Sequence, residues 1–234
     1  MRARDQCAFC PERANITGEH LWSHWAEKAF GPRRYQYIHR DSENAVIKTW
    51  QKDSLDLKTK VVCAECYNGW MSEVETATKL VIQEMILDYG PTILNARDLA
   101  TIAAFGLLKA TVADCIQSKR PPVLTFSERT LFARSLRIPL GVQMWLGSLA
   151  DPHGLFKSRY IETPVNTPRG FYLQSFTYGL GCLVIQVTVS RWRKKSSRRH
   201  TGAAPCSNST LSGPRCPFLF GRMTELLCDG RDFI

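Results

Sequence analysis

Cys7-Ala8-Phe9-Cys10 and Cys63-Ala64-Glu65-Cys66-Tyr67-Asn68-Gly69-Trp70-Met71 are the two stretches whose reading decides the fold. Two residues between cysteines let both thiols reach one ion from a tight knuckle. Two such knuckles complete the four-thiolate tetrahedral site that holds a structural Zn²⁺. Cys7, Cys10, Cys63 and Cys66 are therefore the expected metal ligands. The 52 residues between the pairs exceed the usual spacing, so short hairpins must bring the halves together. The plainer alternative is two unrelated pairs of buried cysteines. With cysteine at all four positions the metal would be structural, and it would stabilise a module too small to fold alone.

The rest of the composition sets the frame. The chain has 234 residues, 44% of them hydrophobic and 22% charged, enough for a sizeable core as one domain or two small ones. It opens Met-Arg-Ala-Arg-Asp-Gln, with no apolar run of the kind a secretory signal needs. No stretch of about 18 uninterrupted apolar residues is present; the best, Leu99 to Val112, is broken by Thr101, Gly106, Lys109 and Thr111. No membrane association is expected. Nine cysteines, an odd number without an export signal, fit a reducing cytoplasm, where close pairs serve metals rather than disulfides. The net charge is +10, but residues 191–234 hold nine Lys/Arg against three acidic residues. The body is only mildly basic, and phosphate attraction is plausible for both parts.

Along the chain, 14–19 reads as a first strand with a bend or close approach at Gly18. Leu21 to Phe30 reads as a short helix stopped by Gly31-Pro32, and Tyr35 to His39, Ala45 to Trp50 and Leu55 to Val62 as strands. Asn68-Gly69 is a turn dipeptide, and Ser72-Glu73-Val74-Glu75 has the capping-box form. Val74, Ala77, Val81 and Met85 then recur at helical spacing, predicting an amphipathic helix over 73–88. Trp70 and Met71 are expected to pack it against the knuckle. A more apolar helix follows over 98–116, central to a core, then a shorter one over 128–136. From Gly141 the pattern turns to strands: Val142 to Leu146, Arg159 to Glu162, Phe171 to Phe176 and Tyr178 to Val189. An antiparallel sheet covering the helices is expected. At Arg191 the pattern breaks into a basic, low-order tail: an arm for nucleic acid, a disordered end, or an atypical terminus. Cys206, Cys216 and Cys228 are not at ligand spacing.

Catalytic chemistry rests on Glu19-His20. An imidazole with a pKa of about 6.5 can take a proton from an attacking water. A carboxylate beside it can hold Mg²⁺, which prefers oxygen ligands. Neighbouring side chains on a regular strand face opposite ways, so both serve one site only at a strand end or bend. His24, one helical turn beyond His20, is a further candidate; His39, His153 and His200 carry less weight. The order His-x-Glu with Pro-Cys-x-x-Cys that a zinc deaminase needs is missing.

Cys7-x-x-Cys10, Glu19-His20 and Cys63-x-x-Cys66 followed by Asn68-Gly69-Trp70-Met71-Ser72 and Glu75 together resemble HNH endonucleases of the zinc-containing ββα-metal, or treble-clef, type. The resemblance covers about residues 5 to 80. It implies His20 as general base, Glu19 as a ligand of Mg²⁺ or another divalent cation, and Asn68 and Glu75 completing that site from the following helix. Tyr67 stands where the family usually has Asn, directly after the last cysteine, and no helix histidine follows; Glu75 is its nearest substitute. The expected fold is α+β: a zinc-bound ββα module over 1–90, an α+β region with an antiparallel sheet over 91–190, and a tail over 191–234. The expected function is hydrolysis of DNA phosphodiester bonds. The alternative is a catalytically degenerate zinc module that binds nucleic acid or protein.

Overall fold

The computed structural model describes residues 6–31, 34–40, 45–54, 58–87, 92–116, 122–148, 156–164 and 171–192. The tail from residue 193, with its three cysteines and His200, lies outside the described residues, as does His153. The chain mixes helices with antiparallel sheets, an α+β arrangement.

The N-terminal half is built from two small ladders. Strands β1 (Ile16–His20) and β4 (Lys58–Cys63) pair antiparallel from Ile16 opposite Cys63 to His20 opposite Lys58, while β2 (Tyr35–Arg40) and β3 (Val46–Lys52) form a hairpin between them in sequence. The β1–β4 register slips between Thr17 and Gly18, a bulge where sequence anticipates a bend. Helix α1 (His24–Phe30) follows β1 and ends at Gly31, whose φ of 72° suits glycine. After β4 the chain enters a single turn, α2 (Ala64–Cys66), and a kinked stretch, Tyr67–Met71, that runs directly into α3 (Ser72–Leu87).

That continuity corrects two expectations. Asn68-Gly69 does not reverse the chain; Gly69 only departs from helical dihedrals, at φ −91° and ψ −120°. Ser72 already has helical dihedrals, so it caps nothing, and Glu75 is left to pair elsewhere. Genuine caps lie further on. Asn95 Oδ1 accepts the amides of Arg97 and Asp98 at 2.8 and 3.1 Å to start α4 (Ala96–Ile116). Thr125 and Glu128 form a reciprocal capping box for α5 (Phe126–Ser135).

The second half is a four-stranded antiparallel sheet of β5 (Val142–Ser148), β6 (Phe156–Pro164), β7 (Phe171–Leu180) and β8 (Leu183–Trp192), ordered β5-β8-β7-β6. The β7–β8 hairpin turns at Gly181-Cys182, four residues later than the expected break after Phe176. Helix α4 is buried on all sides from Ala104 to Asp114, with the sheet on one side and α3 on another. The approach to the sheet is close: a Cβ on Gly106 would lie 2.9 Å from Ile185 Cγ2. One buried cluster takes in Phe9, Val62, Ile82, Phe105, Phe132 and Val187, so residues on both sides of position 90 share it. Each such side chain, fully buried, contributes about 1.5–3 kcal/mol. Among the described residues no helix is long and apolar enough to cross a membrane.

Candidate functional site

The two ends of the β1–β4 ladder carry different chemistry. At the Cys63 end, β-pairing brings the knuckles together: Ala8 N–H donates to Val61 O at 2.8 Å, and Ala64 N–H donates to Asn15 O at 3.0 Å. The sulfurs of Cys7, Cys10, Cys63 and Cys66 lie within 4.8 Å of one another, with Cys10 and Cys63 at 3.5 Å. A tetrahedral Zn²⁺ with bonds of about 2.3 Å sets its sulfurs about 3.8 Å apart, so the donor set fits such an ion. Backbone amides already point at the thiols. Cys63 N–H and Phe9 N–H reach Cys7 Sγ at 3.3 and 3.5 Å, and Cys66 N–H reaches Cys63 Sγ at 3.5 Å. The Cys66 thiol and these amides hold the Cys7 thiol down to about 4, whereas Cys66, as the donor to Cys7, is pushed well up. Burial pushes Cys10 up to about 11. A cation at the centre would support all four sulfurs as thiolates.

The knuckle is clamped from the second half of the chain. Arg129 on α5 donates through Nε to Ala8 O at 2.7 Å and through Nη1 to Leu124 O at 2.5 Å. Trp70 meets Phe9 edge-on at 5.0 Å and Phe132 edge-on at 5.6 Å. Trp70 thus packs against the knuckle, and Met71 beside it is buried in the same core.

At the opposite end, Glu19 and His20 close β1. Glu19 is 1% exposed and His20 half-buried. Glu19 Oε1 meets Lys109 Nζ at 2.9 Å, Glu75 Oε1 meets the same nitrogen at 2.5 Å, and His20 O accepts from it at 2.9 Å. The ammonium has three hydrogens and here finds three acceptors. Ser23 Oγ–H also donates to Glu75 Oε1, at 2.9 Å. Burial pushes the Glu19 carboxyl up, against the pull of Lys109. Burial also disfavours the Lys109 ammonium, but Glu75 and Glu19 outweigh it and raise its pKa. Tyr178, stacked on Trp22 at 4.5 Å, donates its hydroxyl to Leu21 O at 3.3 Å beneath the cluster. The His24 ring lies 6.3 Å from that of His20, with Nδ1 3.6 Å from Glu27 Oε2.

The structure therefore brings the carboxylates of Glu19 and Glu75 together with the backbone carbonyl of His20, whose ring is placed near that of His24, and adds Lys109, a lone cation in an apolar run of the sequence. Asn68 lies elsewhere. It lines an open cleft of about 590 Å³ with Glu12, Asn15, Cys63 and Glu65, at the cysteine end of the ladder. For Tyr67, the residue directly after Cys66, burial raises the pKa, and the charges of Glu19 and Glu75 add to this. Lys58 and Lys60 on β4, opposite His20 and Gly18, are exposed.

No family model, curated protein or solved structure matches the chain. Among the described residues, the four cysteines are the cluster able to bind a metal such as zinc.

Proposed function

We propose that the chain is an HNH-type nucleic-acid module. Zn²⁺ on Cys7, Cys10, Cys63 and Cys66 shapes a treble-clef fold, and His20 is the general base for hydrolysis of a DNA phosphodiester. The observation that carries this reading is the meeting of Glu19 and Glu75, from widely separated positions, on one point that the backbone carbonyl of His20 also reaches. The HNH resemblance implies that convergence. Exposed Lys58 and Lys60 beside His20 offer the positive charge that holds a phosphate backbone without reading sequence. His20 is half-buried rather than sealed, which suits an imidazole taking a proton from a water attacking phosphorus. A reducing cytoplasm suits four thiolates on one metal.

The second cation of the HNH scheme does not fit the residues as they stand. Mg²⁺ takes oxygen ligands at about 2.0–2.1 Å, and Lys109 engages both carboxylates that would supply them. No step of the reaction is assigned to it. The same observation favours a second reading, a module that binds nucleic acid or protein without cutting. Nicking of supercoiled plasmid separates the two. Wild type is expected to nick, and His20→Ala to lose about 10²-fold or more, the usual share of a general base. If both proteins are inert while salt-sensitive DNA binding persists, the non-cleaving reading replaces the nuclease.

A further inference from the structure

We infer that the Lys109 ammonium stands in the position between Glu19 and Glu75 that a divalent cation would hold, so that the native chain binds none there and removing the lysine opens an oxygen-ligand cation site. Two carboxylates from different elements, β1 and α3, aim at one point, the geometry of a hard-cation site. At that point sits a nitrogen at 2.9 and 2.5 Å from their oxygens. The lysine is fully buried and comes from α4, outside both motifs. Its third contact, with His20 O at 2.9 Å, fixes the backbone of the proposed base.

The charge balance of the cluster is incomplete, and this points the same way. Glu19 Oε2 is buried and has no hydrogen-bond partner, so one carboxylate oxygen aimed into the protein is left over once Lys109 has used its three hydrogens. A single positive charge faces two acidic groups, where a divalent ion would match both. Unmatched buried carboxylate oxygens are costly, and a small cation in place of the ammonium would relieve that cost. The Lys109 side chain is too large to share the space. Truncating it would vacate the ammonium position, which three oxygen donors already face, those of Glu19, Glu75 and the His20 carbonyl.

The inference rests on the HNH-type reading only for the expectation of a cation at this point, and its test reads binding rather than cleavage. The zinc-loaded chain is titrated with Mn²⁺, and free Mn²⁺ is followed by electron paramagnetic resonance. Wild type is expected to leave Mn²⁺ free, whereas Lys109→Ala binds one equivalent at least tenfold more tightly. Glu75→Gln placed on top of Lys109→Ala is expected to abolish that gain. Two results overturn the inference: one Mn²⁺ bound by wild type and lost in Glu75→Gln, or a folded Lys109→Ala that gains no Mn²⁺. Where Lys109→Ala does not fold, Mn²⁺ bound by wild type and lost in Glu75→Gln still overturns the inference. A chain that shows the expected Mn²⁺ pattern but nicks no DNA keeps this inference and loses the nuclease reading. Nicking together with Mn²⁺ bound at Glu75 in wild type does the reverse.

Discussion

At the scale of single residues, Lys109 joins the two halves of the chain through a buried charge cluster. It is fully buried and its charge is compensated by Glu19, Glu75 and the His20 carbonyl. Removing one member of a buried charged group leaves the others uncompensated, which typically costs about 3–5 kcal/mol. Lys109→Met is expected near the lower end, because Glu75 is 22% exposed and water shares its charge. The sign of the pH dependence follows from the carboxylates. Burial holds the folded-state pKa of Glu19 above 4.5, so its charge costs folding free energy as pH rises through that range, and more so without the lysine. Urea unfolding is therefore expected to show a smaller loss for Lys109→Met at pH 4 than at pH 7.5; an equal loss at both would contradict the charge account. The four cysteines were legible in sequence because ligand spacing is a local property. Lys109 was not, because its partner Glu19 lies 90 residues away and the only local signal is a lone cation inside an apolar helix.

At the scale of elements, the turn between β7 and β8 joins the sheet to α3. Gly181 has φ of 53°, and a Cβ there would come within 2.1 Å of Ile86 O at the end of α3. The same carbonyl accepts the Cys182 amide at 3.3 Å. Gly181→Ala is expected to cost about 1–3 kcal/mol through backbone strain and displacement of α3. Gly147→Ala in β5, whose nearest contact would be 4.0 Å away, is the control and should change the denaturation midpoint little. Sequence reading put the break in this region after Phe176, since Phe171–Leu180 and Leu183–Trp192 alternate in one continuous pattern that does not mark its own turn. It put a turn at Asn68-Gly69 for the converse reason: a strong turn dipeptide is overridden when buried Cys66 and buried Met71 bracket it. The helices were legible from their apolar spacing, and their first turns came out slightly earlier because Asn95 and Thr125 cap them.

At the scale of the whole molecule, the cysteine cluster is part of the main core and is not an appendage. Phe9 between the knuckle cysteines packs through Trp70 to Phe132, and Arg129 binds the knuckle carbonyl of Ala8. A metal at the four sulfurs would therefore bear on the α+β region as well as on the N-terminal strands, and binding energy for a structural site is folding energy. Sequence alone suggested a module and a separate region behind it; the shared core depends on α4 and α5 reaching back across the chain, which no local pattern encodes. The central claim is that one zinc ion is held by Cys7, Cys10, Cys63 and Cys66. X-ray absorption at the zinc edge of the purified chain tests it most directly. About one zinc per chain, with four sulfur neighbours at about 2.3 Å and loss of the metal in Cys63→Ser, is the predicted result. A chain without stoichiometric zinc, or a zinc shell of nitrogen and oxygen neighbours, would contradict it.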